Sequence, residues 1–234
     1  MDRSSQCGQL KELLGLDTIP IGIAFVDQEP VGVSRVPSPA PAGCSYWKLA
    51  DEGGVFYTAA LDHYDCPIGA WTHHVELPPD RMKELDAQLE KMVGLGYLHQ
   101  EEIPSIPRRE TAFRFSIYGP LDQLSDEPDI VLIRGNARQL MLLMEAAHAA
   151  GAAGATAPSG RPTCALIPLA LGSGKMAVSF ACIGNRIYTG AADGEAYCAI
   201  PIKQLDAVLA KLHTVVHANR ELEAFHRSRL VGWT

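Results

Sequence analysis

Short apolar runs rich in β-branched and aromatic residues alternate along the chain with stretches whose apolar residues recur every three to four positions, and glycine or proline punctuates the junctions. The first pattern suits a strand and the second gives a helix one apolar stripe. A chain that keeps switching between them must lay helices on a sheet, so α+β is the expected class. With 234 residues it is long enough for a sizeable core without staples. One domain or two tightly fused halves fit that length, and the expectation is a single compact unit over 1–234, a mixed sheet with packed helices.

The spacing predicts a helix over Gln9–Leu16 ending near Gly15, a strand over Ile19–Val26, and a short helix from Ser45 through Ala50. Strands are expected over Val55–Ala59, Phe113–Tyr118, Asp129–Arg134, Lys175–Ala181 and Tyr197–Ile200. Pro79 opens a helix to Val93 with Met82, Leu85, Leu89, Met92 and Val93 on one stripe, and Asn136 is a natural N-cap for a helix through His148. A last helix is expected over Ile202–Arg220. The tract Ala149–Pro162 is built from Ala, Gly, Ser and Pro and reads as a flexible surface loop.

Charge narrows the function classes. The 27 acidic and 20 basic side chains leave a formal charge of -7, and no segment concentrates Lys and Arg, so nucleic acid is not an expected partner. No apolar segment approaches the roughly 20 residues that cross a bilayer, and Met1–Cys7 lacks the apolar run of a secretory signal. The expectation is a cytoplasmic protein. In that reducing setting the six cysteines are expected to be thiols or ligands rather than a disulfide framework.

Two segments place thiols beside other reactive groups. Asp62-His63-Tyr64-Asp65-Cys66-Pro67 gathers a thiol, an imidazole and two carboxylates, a donor set that suits zinc, copper or iron, with the carboxylates able to orient His63. The plain alternative is a polar loop with an exposed histidine. Cys182-Ile183-Gly184-Asn185-Arg186 follows a strand and is read as a glycine-punctuated turn, in which Arg186 either serves a thiolate or anion or stays solvated. Cys44 stands at an expected helix start, where exposed N–H groups and the helix dipole favour a thiolate, and Cys164 is similarly placed after Pro162-Thr163. Singly, each is more often a small buried hydrophobe than a ligand.

Several motifs fail on inspection. His213 and His217 have a two-histidine helical spacing, but Thr214 stands where a metalloprotease needs its glutamate. Gly172-Ser173-Gly174-Lys175 lacks the first glycine and the terminal hydroxyl of a phosphate loop, Leu169 and Met176 standing there instead. No two cysteines form a C-x-x-C pair, so any metal site has to be assembled from distant loops.

The order of these pieces resembles the DUF169 family. The matching residues are Leu13-Leu14-Gly15-Leu16 before Pro20, Cys44 with Trp47 and Ala50, Cys66 with Gly69, Pro128-Asp129 before the Asn136 helix, Cys164, and Cys182, Gly184, Arg186 and Tyr188-Thr189-Gly190. The family brings no established activity with it. The resemblance implies that Cys44, Cys66, Cys164 and Cys182 are the meaningful four and that Cys7 and Cys198 are incidental. Four thiolates match the ligand count of a [4Fe–4S] cluster or, as second choice, a structural zinc, with His63, Arg186 and Tyr188 around them.

Three functional readings follow. One is a cysteine-ligated metal protein, iron–sulfur before zinc, with a redox partner or a small-molecule ligand. The second is a metal-free small-molecule-binding or regulatory protein whose cysteines are packing residues, and the third an enzyme with a thiol nucleophile. A homo-oligomer is compatible with each.

Overall fold

The computed structural model describes residues 1–156 and 162–231. The expected apolar runs become β1 (Ile21–Val26), β2 (Phe56–Ala59), β3 (Phe115–Pro120), β4 (Ile130–Asn136), β6 (Met176–Ser179) and β7 (Glu195–Pro201), while β5 (Ala153–Thr156) was not expected. They form one seven-stranded sheet in the order β2-β3-β1-β4-β7-β6-β5. All neighbours run antiparallel except β5 and β6, which are parallel.

Strand β5 corrects part of the loop reading of Ala149–Pro162. Backbone pairing along an open sheet edge needs no alternation of side chains. Small residues also allow close approach: a Cβ on Gly154 would meet the Met176 carbonyl oxygen at 2.5 Å. Of the same tract, 157–161 lie outside the described residues. Because the sheet runs through strands from both sides of this tract, the chain has one core architecture and not two.

The helices are α1 (Arg3–Leu14), α2 (Ser45–Asp51), α3 (Pro67–Thr72), α4 (Pro79–Gly94), α5 (Ala137–Ala149), α6 (Leu166–Ser173), α7 (Ile183–Thr189) and α8 (Ile202–Arg229). Two ends follow the expected chemistry. Gly15 closes α1 with φ 63°, and the Asn136 side chain accepts a 3.0 Å hydrogen bond from the Gln139 amide at the start of α5. The segments around Cys66 and Cys182, read as turns, instead lead into α3 and α7. At 6 and 7 residues these helices are too short to show a period, and neighbouring packing stabilises them. Of the stripe expected on α4, only Leu85 is buried.

Register divides the core. Val131, Ile133, Cys198, Ile200 and Val178 face one side, where Leu10 of α1, Leu143 of α5 and Leu205, Leu209 and Leu212 of α8 cover them. Ile21, Ile23, Tyr118, Leu132, Ala177 and Ala199 face the other, beneath Tyr46 and Trp47 of α2 and Leu166, Ile167 and Ala170 of α6. Each such aliphatic side chain, fully buried, contributes roughly 1.5–3 kcal/mol. Among the described residues no helix is long and apolar enough to cross a membrane.

Candidate functional site

Four separate segments deliver a cysteine to the second face. Cys44, Cys66 and Cys182 are the N-cap residues of α2, α3 and α7, and Cys164 lies in the 3-10 turn Thr163–Ala165 that feeds α6. Side chains tie the segments together. The Thr72 hydroxyl at the end of α3 lies 3.2 Å from the Cys164 sulfur, and the Cys182 amide donates to Thr163 Oγ1 at 2.5 Å. The Asn185 side chain of α7 stands beside the Cys44 sulfur. All six cysteine pairings among these four are close enough for charge on one sulfur to disfavour charge on another.

Burial dominates the thiols' acidity. It pushes Cys44 up to about 12 and raises Cys66 and Cys164 above the ordinary thiol range, and the neighbouring cysteines add to the effect. Opposing it, the Asn185 amide favours the Cys44 thiolate, and the Gly43 and Gly69 backbone favours that of Cys66. The backbone N–H of Asn185 donates to the Cys182 sulfur at 3.4 Å. Gly69 leaves the Cys66 sulfur its present position: a Cβ there would stand 2.8 Å from that sulfur, which would have to shift. All six cysteines are free. No group of three or more His, Cys, Asp or Glu side chains among the described residues is drawn into the clasp of a metal ion.

The sequence-nominated neighbours take other positions. His63 is buried, shares a 2.8 Å hydrogen bond through Nε2 with Thr58 Oγ1, and is held down to about 4 by burial, so it is a neutral internal histidine rather than an exposed loop residue. Its expected carboxylate partners point elsewhere. Asp62 receives the Arg35 fork at 2.9 Å twice and caps the Ala59 amide, and Asp65 pairs with Arg81 at 3.2 Å.

Arg186 differs most from expectation. Its guanidinium is spent on three backbone carbonyls, Ala192 at 2.6 Å, Phe180 at 2.7 Å and Glu195 at 3.1 Å, and none of its hydrogen bonds reaches a sulfur. It braces the two ends of α7. Tyr188 is exposed on that helix. Cys7 and Cys198 sit in the opposite apolar core, apart from the four.

Sequence reasoning passed over Thr72, His73, Thr163 and Asn185. His73 is buried, held down to about 3 by burial first and by its neighbour His63 second, and its Nε2 lies 3.1 Å from the Cys164 carbonyl oxygen. Asn185 is 1% exposed, yet neither end of its amide makes a well-formed hydrogen bond. Its place three residues beyond Cys182 was the only signal for it. Ala181, immediately before Cys182, is held at φ 67°, a conformation alanine seldom adopts.

Among curated proteins and among solved structures nothing similar to this chain was found. The family model for DUF169, described as uncharacterised ArCR, matches residues 9–211 and so spans all four cysteines of the site. This chain, with its four helix-start cysteines on one sheet face, belongs to the DUF169 family.

Proposed function

We propose that the chain is a cysteine-ligated metal protein in which Cys44, Cys66, Cys164 and Cys182 hold an iron–sulfur cluster of the [4Fe–4S] type. The observation that carries this reading is the mutual proximity of four thiols from four segments far apart in sequence. The donor set fits the group: four thiols and no competing carboxylate ion pair match such a cluster's ligand count. A single zinc, the second choice, would need all four sulfurs about 2.3 Å from one point, a tighter gathering than the described side chains make.

A bound cluster would supply one-electron chemistry. The chain's own contribution is to hold the sulfurs and donate hydrogen bonds to them, from the Asn185 backbone to Cys182 and from the Thr72 hydroxyl toward Cys164. Such donors are among the protein's means of tuning a cluster's potential. Because burial keeps Cys44, Cys66 and Cys164 protonated in the metal-free chain, ligation must release protons, and uptake should be favoured by rising pH. The same weakened acidity disfavours these three as thiol nucleophiles, since the thiolate is the attacking species. The reading carries with it a reducing, cytoplasmic setting and a redox partner or small-molecule substrate.

The metal-free alternative rests on the burial of Cys44 within the aromatic core around Tyr46 and Trp47. Anaerobic purification followed by iron and sulfide analysis separates the two. The cluster reading expects a brown protein with about four irons per chain, lost on Cys164→Ser. A colourless protein that stays free of iron and zinc after anaerobic reconstitution overturns it in favour of the metal-free alternative.

A further inference from the structure

On the same sheet face, toward the ends of β1, β2 and β3, lies a second set of buried polar groups that the cysteines do not use. Ser116 and Tyr118 are two residues apart on β3 and point to one side, opposite Phe25 and Ile23 of β1. Both are 0% exposed; the Tyr118 hydroxyl lies beside those of Ser116 and Thr58, but neither Ser116 nor Tyr118 completes a well-formed hydrogen bond among the described residues. Arg109 lies near enough for its charge to act on Tyr118. Its guanidinium carbon lies 4.0 Å from the centre of the Phe25 ring and 4.8 Å from that of Phe113, and its buried Nη1 has no partner.

We infer that Arg109, Ser116 and Tyr118 form a binding site for a small carboxylate, entered from the adjoining cleft. A buried guanidinium normally sits against a carboxylate, because its desolvation is otherwise uncompensated. Among the described residues no acid lies within ion-pair distance of Arg109: Asp129 and Asp27 act on it only from farther off. Contact with the tilted pair of Phe25 and Phe113, whose ring centres are 4.8 Å apart, helps to hold its planar fork, and a planar fork matches a carboxylate in two parallel hydrogen bonds. Two hydroxyls on the floor add donors that a carboxylate, an acceptor only, can use.

A cleft of about 470 Å³ adjoins the three residues without including them among its lining, which carries Asp27, Ala59, His74, Glu76, Phe113 and Arg114 among others. Phe113 also stacks on Arg109, and His74 bonds the Arg109 carbonyl oxygen through Nδ1 at 2.9 Å. The cleft wall and the guanidinium therefore share residues. The site contains no cysteine and does not depend on the cluster reading. It lies close to it, since Thr58, paired with Ser116 across the strands, holds His63, and His63 is near enough to influence His73 at Cys164.

Titration calorimetry of the full chain with acetate, oxalate and inorganic phosphate at constant ionic strength tests this. Acetate or oxalate should bind, with phosphate weaker because its further oxygens, out of the plane of the fork, need more donors than one fork and two hydroxyls supply. Arg109→Lys and Arg109→Gln should each weaken binding by about tenfold or more, the loss of charge-assisted hydrogen bonds. Ser116→Ala and Tyr118→Phe should weaken it without lowering the melting temperature, because neither removes a well-formed hydrogen bond. No heat from either carboxylate, or phosphate binding as tightly as they do, would overturn the assignment. Should the Arg109 variants fail to fold, the two hydroxyl variants decide, and unchanged affinity in both sinks it.

Discussion

The two faces of the sheet are built from different materials. The face under α1, α5 and α8 is aliphatic, with Leu10, Leu143, Leu205, Leu209 and Leu212 all 0% exposed. The face under α2, α3, α6 and α7 has an aromatic centre around Tyr46, Trp47 and Tyr118, the four cysteines, two buried histidines and several unpartnered polar atoms. Burying a polar group without a partner costs about 1–3 kcal/mol, so a sheet built for stability alone would carry aliphatics on both sides. The difference teaches that one face holds the fold while the other carries groups whose chemistry exceeds what packing needs.

The largest effect should come from the first face. Leu143→Ala should cost about 2–5 kcal/mol of unfolding free energy in urea, as for other fully buried leucines, while metal content per folded chain stays unchanged. A loss of metal without a loss of stability would dissolve the division of labour.

Acid should act through the second face. His63 and His73 are held down to about 4 and about 3 against an ordinary 6.5, so below 6.5 the unfolded chain takes up protons that the folded chain refuses. Stability is therefore full above that value and falls as pH drops toward about 4. The loss should reach a few kcal/mol, at about 1.4 kcal/mol per unit of displacement. Urea midpoints between those pH values measure the slope, and His63→Gln should flatten it. An equal slope in that variant would remove His63 from the account.

Gly69→Ala sharpens the comparison further. The new methyl must push the Cys66 sulfur away from its 2.8 Å contact, so metal loading should fall steeply. Stability should change by only about 1–3 kcal/mol, the cost of overpacking. Arg186→Ala, which frees three carbonyls at the ends of α7, should destabilise by about 1–3 kcal/mol, and any change in metal content should follow Cys182 losing its placement. Smallest of all, Ala181→Gly should relieve the left-handed strain and alter the melting free energy by less than about 1 kcal/mol. Thermal unfolding scans resolve both.

The sequence alone determined the α+β class, the family, most strands and the caps at Gly15 and Asn136, because strand period, helix stripes and caps are local properties and the family motifs are read directly from residue order. It could not show α3 or α7, whose 6 and 7 residues contain less than two full periods, nor β5, whose pairing comes from an open edge rather than from its own side chains. Hydrogen-bond destinations were equally hidden. Arg186 was read as a partner for sulfur because it stands four residues past Cys182, but three carbonyls from neighbouring segments claim its fork. Only the tertiary structure could bring Cys44, Cys66, Cys164 and Cys182 together, bury His63 and His73, and leave Arg109, Ser116, Tyr118 and Asn185 with polar atoms unmatched. Burial and partnership are set by what other segments place nearby, and no local pattern in a chain encodes that.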